Sequence, residues 1–138
     1  MHSRPKETGW IEVVSGCMFS GKTEELIRRL KRAQYAKQKI KVFKPHIDDR
    51  YSKDMIVSHS EHEFPSAMIK QPAEILDLCG DAEVIGIDEA QFFPPEIVSV
   101  CNTLADRGFR VIVAGLDQDY KGVPFEPMPQ LMAVAEYV

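Results

Sequence analysis

The chain has 138 residues, of which 44% are apolar and 28% charged, with a formal charge of −4; this fits one ordinary globular domain with enough length for a core and no general attraction to nucleic acid or anionic membrane. Its apolar runs are of strand length, too short to cross a bilayer, and the opening "MHSRPKETGW" lacks the apolar core of a secretory signal, so a cytoplasmic protein is expected. The three cysteines, Cys17, Cys79 and Cys101, are odd in number and far apart, which argues against a disulfide framework and against a complete zinc site within the chain.

In chain order, "WIEVV" (10–14) reads as a short strand, followed by a glycine loop and a helix from about Thr23 to Lys37. That helix sets Leu26, Ile27, Leu30 and Ala33 on one face and Arg28, Arg29, Lys31 and Arg32 largely on the other. "KIKVFKP" (39–45) reads as a second strand ended by Pro45. Residues 46–66 are polar around a small apolar island, "MIV", and suggest a flap or hairpin beside a site. Pro72 starts a helix through Leu76 to Cys79, with Gly80 as its stop signal. "EVIGIDEA" (83–90) is a buried strand with an acidic pair at its C-terminal end. Pro95 opens a helix carrying Ile97, Val98, Cys101 and Leu104 and closing near Gly108, and "RVIVAGL" (110–116) is a further buried strand. Residues 117–130, with Gly122, Pro124, Pro127 and Pro129, favour an ordered loop over a helix, and "QLMAVAEYV" looks like the start of a helix or strand. Strands alternating with helices imply parallel pairing. The expected fold is α/β, a mostly parallel sheet with flanking helices around a P-loop NTPase-like (RecA-like) core, in a single domain over 1–138.

Gly16-Cys17-Met18-Phe19-Ser20-Gly21-Lys22-Thr23 matches G-x-x-x-x-G-K-[ST] at every fixed position and lies between a strand and a helix. The glycines let backbone N–H groups wrap a phosphate chain, and the helix N-terminus adds the positive end of its dipole. Lys22 supplies a full charge to the outer phosphates, and the Thr23 hydroxyl can ligate Mg²⁺. Ser15 and residues 16–23 are therefore read as a nucleoside triphosphate site. Asp88, ending an apolar strand, is the expected second anchor for Mg²⁺. Glu89 follows at once, and adjacent residues at a strand end can point in different directions, so Glu89 is a candidate general base for a hydroxyl or a water. The same pair occurs in ATPases, and by itself it does not separate a kinase from a hydrolase.

"SGCMFSGKTEEL", "KPHIDDRYS", "IDEAQFF" and "AGLDQDYKGVPF", in this order, resemble thymidine kinases of the P-loop (type II) family from Gly9 onward. The resemblance implies transfer of the γ-phosphoryl group of ATP, with Mg²⁺, to the 5′-hydroxyl of thymidine. It implies that Glu89 is the base, that Arg50 and Lys22 steady the phosphoryl charge, and that Asp48 helps Thr23 and Asp88 hold the metal. Asp88, Glu89, Ala90 and Gln91 resemble a segment near the nucleotide. Met18, Phe92, Leu116, Tyr120 and Phe125 match positions lining the thymidine pocket, where a flat base needs apolar and aromatic walls. A homotetramer is a further implication.

Members of that family continue into a C-terminal part with a structural Zn²⁺ and a lasso loop over the base. Neither is found in this chain, which resembles the N-terminal nucleotide-binding part. Two other readings stand beside the kinase: a P-loop ATPase of the motor or recombinase type, in which Glu89 activates water, and a catalytically silent nucleotide-binding fragment. The cationic run from Arg28 to Lys41 reads as a solvated helix face rather than a nucleic-acid patch. His46, His59 and His62 are not expected to bind metal, and Cys17 is read as a small loop residue.

Overall fold

Alternating apolar strands and amphipathic helices build the sheet sandwich that their order implies. The computed structural model describes residues 9–16, 21–46, 64–116 and 126–137. In chain order these form β1 (Trp10–Gly16), α1 (Lys22–Tyr35), β2 (Ile40–Pro45), β3 (Ser66–Ile69), α2 (Glu74–Leu78), β4 (Val84–Ile87), a 3₁₀ turn (Ala90–Phe92), α3 (Ile97–Asp106), β5 (Arg110–Leu116) and α4 (Pro127–Val134). The five strands make one sheet in the order β1-β5-β4-β2-β3. Every neighbouring pair is parallel, with Trp10 opposite Arg110, Val84 opposite Arg110 and Phe43 opposite Ile87. β5 thus separates the strand leading into the glycine loop from the strand carrying the acidic pair.

Strand alternation divides the core into two layers. On one face, Leu26, Ile27, Leu30 and Ala33 of α1 pack on Val14, Val42, Val84, Ile112 and Ala114. On the other, residues of α2, α3 and α4 pack on Ile11, Val13, Phe43, Ile85, Ile87, Val111 and Val113. Each fully buried Leu or Ile contributes about 2 kcal/mol, so these layers fix α1 against the sheet more strongly than helix propensity does. Glu136 and Tyr137 hydrogen-bond to the backbone of Ile11 and Val13, which covers part of the outer edge of β1.

Two differences from the sequence reading have physical reasons. The expected loop over 117–130 is helical from Pro127, because Pro127 and Pro129 lie in the first turn of α4, where a missing N–H costs nothing; residues 117–125 lie outside the described residues. Of the expected flap over 46–66, residues 47–63 also lie outside the described residues. Its last residue, Ser66, instead begins β3, a four-residue strand at the edge of the sheet. Ser66 is half-buried and Ala67 and Met68 are exposed, so β3 carries no apolar period.

A polar cluster ties α1 to the sheet. Glu12 on β1 is buried on the α1 face and accepts hydrogen bonds from Arg110 Nε (2.5 Å), Arg110 Nη2 (3.1 Å), Arg29 Nη1 (2.9 Å) and Trp10 Nε1 (2.7 Å). Arg29, expected on the solvated face of α1, therefore reaches inward. Burial pushes the Glu12 carboxyl up, but the hydrogen bonds from Arg110 and Trp10 and the charges of Arg110 and Arg29 outweigh it, and the net shift is downward. Glu12→Gln is expected to cost roughly 2–3 kcal/mol at pH 7, somewhat less than breaking a fully buried pair because both arginines keep contact with water. A depressed carboxylate stabilises above its unfolded value of 4.5 and loses that contribution as pH falls through its folded value. Urea denaturation of parent and variant should therefore converge below pH 4.5.

Candidate functional site

Parallel strands end together, so the carboxyl ends of β1, β4, β2 and β5 open on one edge of the sheet, where α1 begins. Gly21 precedes α1 with φ +85, a left-handed conformation that suits glycine. It offers no side-chain cap, so the first-turn N–H groups beside Lys22 and Thr23 remain free of one. Cys17, Met18, Phe19 and Ser20 lie outside the described residues. Ser15 turns its hydroxyl to Met132 Sδ of α4 at 3.7 Å and pairs with Gly115 of β5 in the sheet.

The acidic pair separates as adjacent residues at a strand end can. Asp88 is fully buried, its N–H donating to Phe43 O of β2 at 2.9 Å and its Oδ1 accepting the Glu89 N–H at 2.9 Å. Glu89 leaves the strand in the left-handed region at φ 54, ψ 42, costly for a non-glycine residue and typical of places where a fold aims a side chain. Its Oε1 accepts from Lys22 Nζ at 3.2 Å, with both side chains 10% exposed, and its Oε2 accepts from Gln91 Nε2 at 2.8 Å. Gln91 Oε1 accepts the Leu116 N–H at 3.1 Å. One hydrogen-bonded chain therefore joins the helix after the glycine loop, the acidic pair and the end of β5.

Burial is the largest influence on Asp88 and pushes its carboxyl above the usual range; the Glu89 charge adds to this, while Lys22, the Glu89 N–H and Lys44 oppose it. Sequence reasoning missed Lys44. It is only 2% exposed, at the end of β2 and in the same strand phase as Val42, which packs under α1. The signal was a lysine in an apolar phase of a strand. Of the remaining residues, Thr23 is half-buried in the first turn of α1, and Ala90 is buried in the 3₁₀ turn. Phe92 is 42% exposed whereas Phe93 is in the core, so the pair divides between surface and interior. Leu116 is half-buried at the end of β5, against which the 3₁₀ turn packs. Met18, Asp48, Arg50, Tyr120 and Phe125 lie outside the described residues.

A carboxylate and a hydroxyl, from Asp88 and Thr23, are hard oxygen donors of the kind Mg²⁺ accepts when phosphate and water complete its shell. Among the described residues no three His, Cys, Asp or Glu side chains group as a metal site. Cys101 offers no thiolate, since burial pushes its thiol up to about 12.

The sequence pattern of one family, described as "Thymidine kinase", matches residues 9–138. The chain belongs to the thymidine kinase family. A thymidine kinase from Rhodothermus sp. (strain ITI 518) is 62% identical over 130 residues, which cover 94% of this chain and 61% of that protein. A thymidine kinase from Bacteroides thetaiotaomicron is 55% identical over 133 residues, covering 96% of this chain and 67% of the relative. The chain thus spans about three fifths to two thirds of the length of these thymidine kinases.

A buried carboxylate with a raised folded value destabilises the fold once it ionises: the cost begins as pH rises past the unfolded value of 3.8 and is complete above the folded one. Asp88→Asn is nearly isosteric and keeps the acceptor for the Glu89 N–H. It is expected to raise the thermal midpoint at pH 7 by a few degrees, the gap closing as pH falls toward 3.8. A lower midpoint at pH 7 would show that attraction to Lys22 and Lys44 outweighs burial.

Proposed function

We propose that this chain carries the phosphoryl-transfer machinery of a thymidine kinase, moving the γ-phosphoryl group of MgATP to the 5′-hydroxyl of thymidine to give dTMP. The observation that carries the reading is the contact between Lys22 Nζ and Glu89 Oε1 at 3.2 Å, both largely buried, because it sets a phosphate-binding cation beside a candidate base. Family membership and the names of the relatives support the substrate pair.

In this mechanism the backbone of residues 16–23 and the Lys22 ammonium hold the triphosphate, with the α1 N-terminus adding its dipole. Thr23 and Asp88, assisted by Asp48, would hold Mg²⁺, which when bound supplies charge neutralisation for the phosphates. Glu89 accepts the proton of the 5′-hydroxyl as that oxygen attacks in line, and Arg50 steadies charge on the transferring group. Met18, Phe92, Leu116, Tyr120 and Phe125 wall the thymine ring. The protein's part is mostly positioning and electrostatics. No helix among the described residues is long and apolar enough to cross a membrane; a cytoplasmic location is part of the same proposal. Association as a homotetramer belongs to the same proposal.

The test is ADP release from MgATP with and without thymidine, in the parent and in Glu89→Gln. Thymidine-dependent release is expected, falling by roughly 10²-fold or more in the variant while nucleotide binding persists. Release indifferent to thymidine would overturn the kinase reading in favour of an ATPase.

A further inference from the structure

Gln91 spans from the acidic pair to β5. Its side chain is buried and its amide is engaged at both ends, Nε2 donating to Glu89 Oε2 at 2.8 Å and Oε1 accepting the Leu116 N–H at 3.1 Å. The two bonds define the amide's orientation, because a flipped amide would set donor against donor and acceptor against acceptor. The neighbouring glycine makes room for it. A Cβ on Gly115 would lie 3.0 Å from Gln91 Oε1, 3.2 Å from the Gln91 backbone nitrogen and 2.9 Å from Met128 Sδ. At such distances the amide or the thioether would have to shift.

We infer that Gln91 is the positioning residue for Glu89, holding the second carboxylate oxygen and locking it to the Leu116 backbone so that the first oxygen faces Lys22 at the start of α1. The role rests on the proposed kinase reading, in which Glu89 is the base. A carboxylate on a three-torsion side chain turns readily about its terminal bond, and a base must sit within hydrogen-bond reach of its proton. Lys22 holds Oε1 from one side and Gln91 holds Oε2 from the other. A neutral amide orients the carboxylate through a directional bond and adds no charge to the site. Because Leu116 is also proposed to line the thymidine pocket, one amide sets the base in register with a wall of the substrate site. Gln91 thereby acts through Glu89 and through the end of β5, with its own polar atoms committed to protein partners.

The test uses Gln91→Met, which removes both bonds at similar length, and Gln91→Glu, which retains an acceptor for Leu116 but loses the donor to Glu89. Both are expected to lower kcat for thymidine-dependent ADP release by about 10- to 100-fold, as misplacement of a base does, with KM for ATP nearly unchanged. In a Glu89→Gln background, Gln91→Met should add almost nothing, because the group it positions is already gone. Amide hydrogen exchange should be faster at Leu116 in Gln91→Met and unchanged at Val113. A rise in KM for ATP with kcat preserved, multiplicative losses in the double variant, or unaltered exchange at Leu116 would overturn the assignment. If the parent shows no thymidine-dependent release, the kinase reading fails by itself, and exchange at Leu116 still decides whether the clamp exists.

Discussion

Charge removed from water needs charge or hydrogen bonds in return, and that constraint organises the carboxyl edge of this sheet. Asp88 and Glu89 are adjacent, both buried, and would repel each other without compensation. The cations that act on Asp88, Lys22 and Lys44, come from α1 and β2, elements that reach the edge only because the sheet is parallel. Polar donors complete the arrangement: the Glu89 N–H on Asp88 and the Gln91 amide on Glu89. The left-handed turn at Glu89 lets two successive carboxylates serve different partners, and it occurs where strain is tolerated for the sake of direction.

The rest of the fold keeps that edge in register. Helix α1 must present its first turn at a fixed distance from β4, although β5 lies between β1 and β4. Leu26, Ile27 and Leu30 seat it by burial, and Arg29 bonds to Glu12 so that the helix does not slide along the sheet. Arg110 joins the same carboxylate from β5, so one buried glutamate coordinates β1, β5 and α1. The same ties serve stability and site geometry, since a displaced α1 would carry Lys22 away from Glu89.

What was legible in the sequence follows from which signals are local. The strands at "WIEVV", "EVIGIDEA" and "RVIVAGL" declare themselves by apolar runs, and α1 by its one apolar face. The acidic pair was readable as a type because it is a contiguous motif, whereas Cys17 to Ser20 of the glycine loop lie outside the described residues. What escaped is set by long-range pairing. Glu12 and Arg110 lie 98 positions apart, and Gln91 and Leu116 lie 25 apart, so neither bond leaves a local trace. Lys44 was hidden in a strand whose other lysines are ordinary surface residues. α4 was obscured because prolines that usually stop a helix stand where a helix tolerates them, and β3 because an edge strand buries little.

The central claim is that this carboxyl edge is a magnesium-nucleotide site built on Lys22 and Asp88. Calorimetric binding of ATP to the chain and to Lys22→Met, with and without magnesium, tests it most directly. One nucleotide per chain is expected, bound in a magnesium-dependent way and weakened by about 10²-fold when the buried cation is removed. Binding indifferent both to magnesium and to Lys22 would contradict it and place the nucleotide elsewhere on the protein.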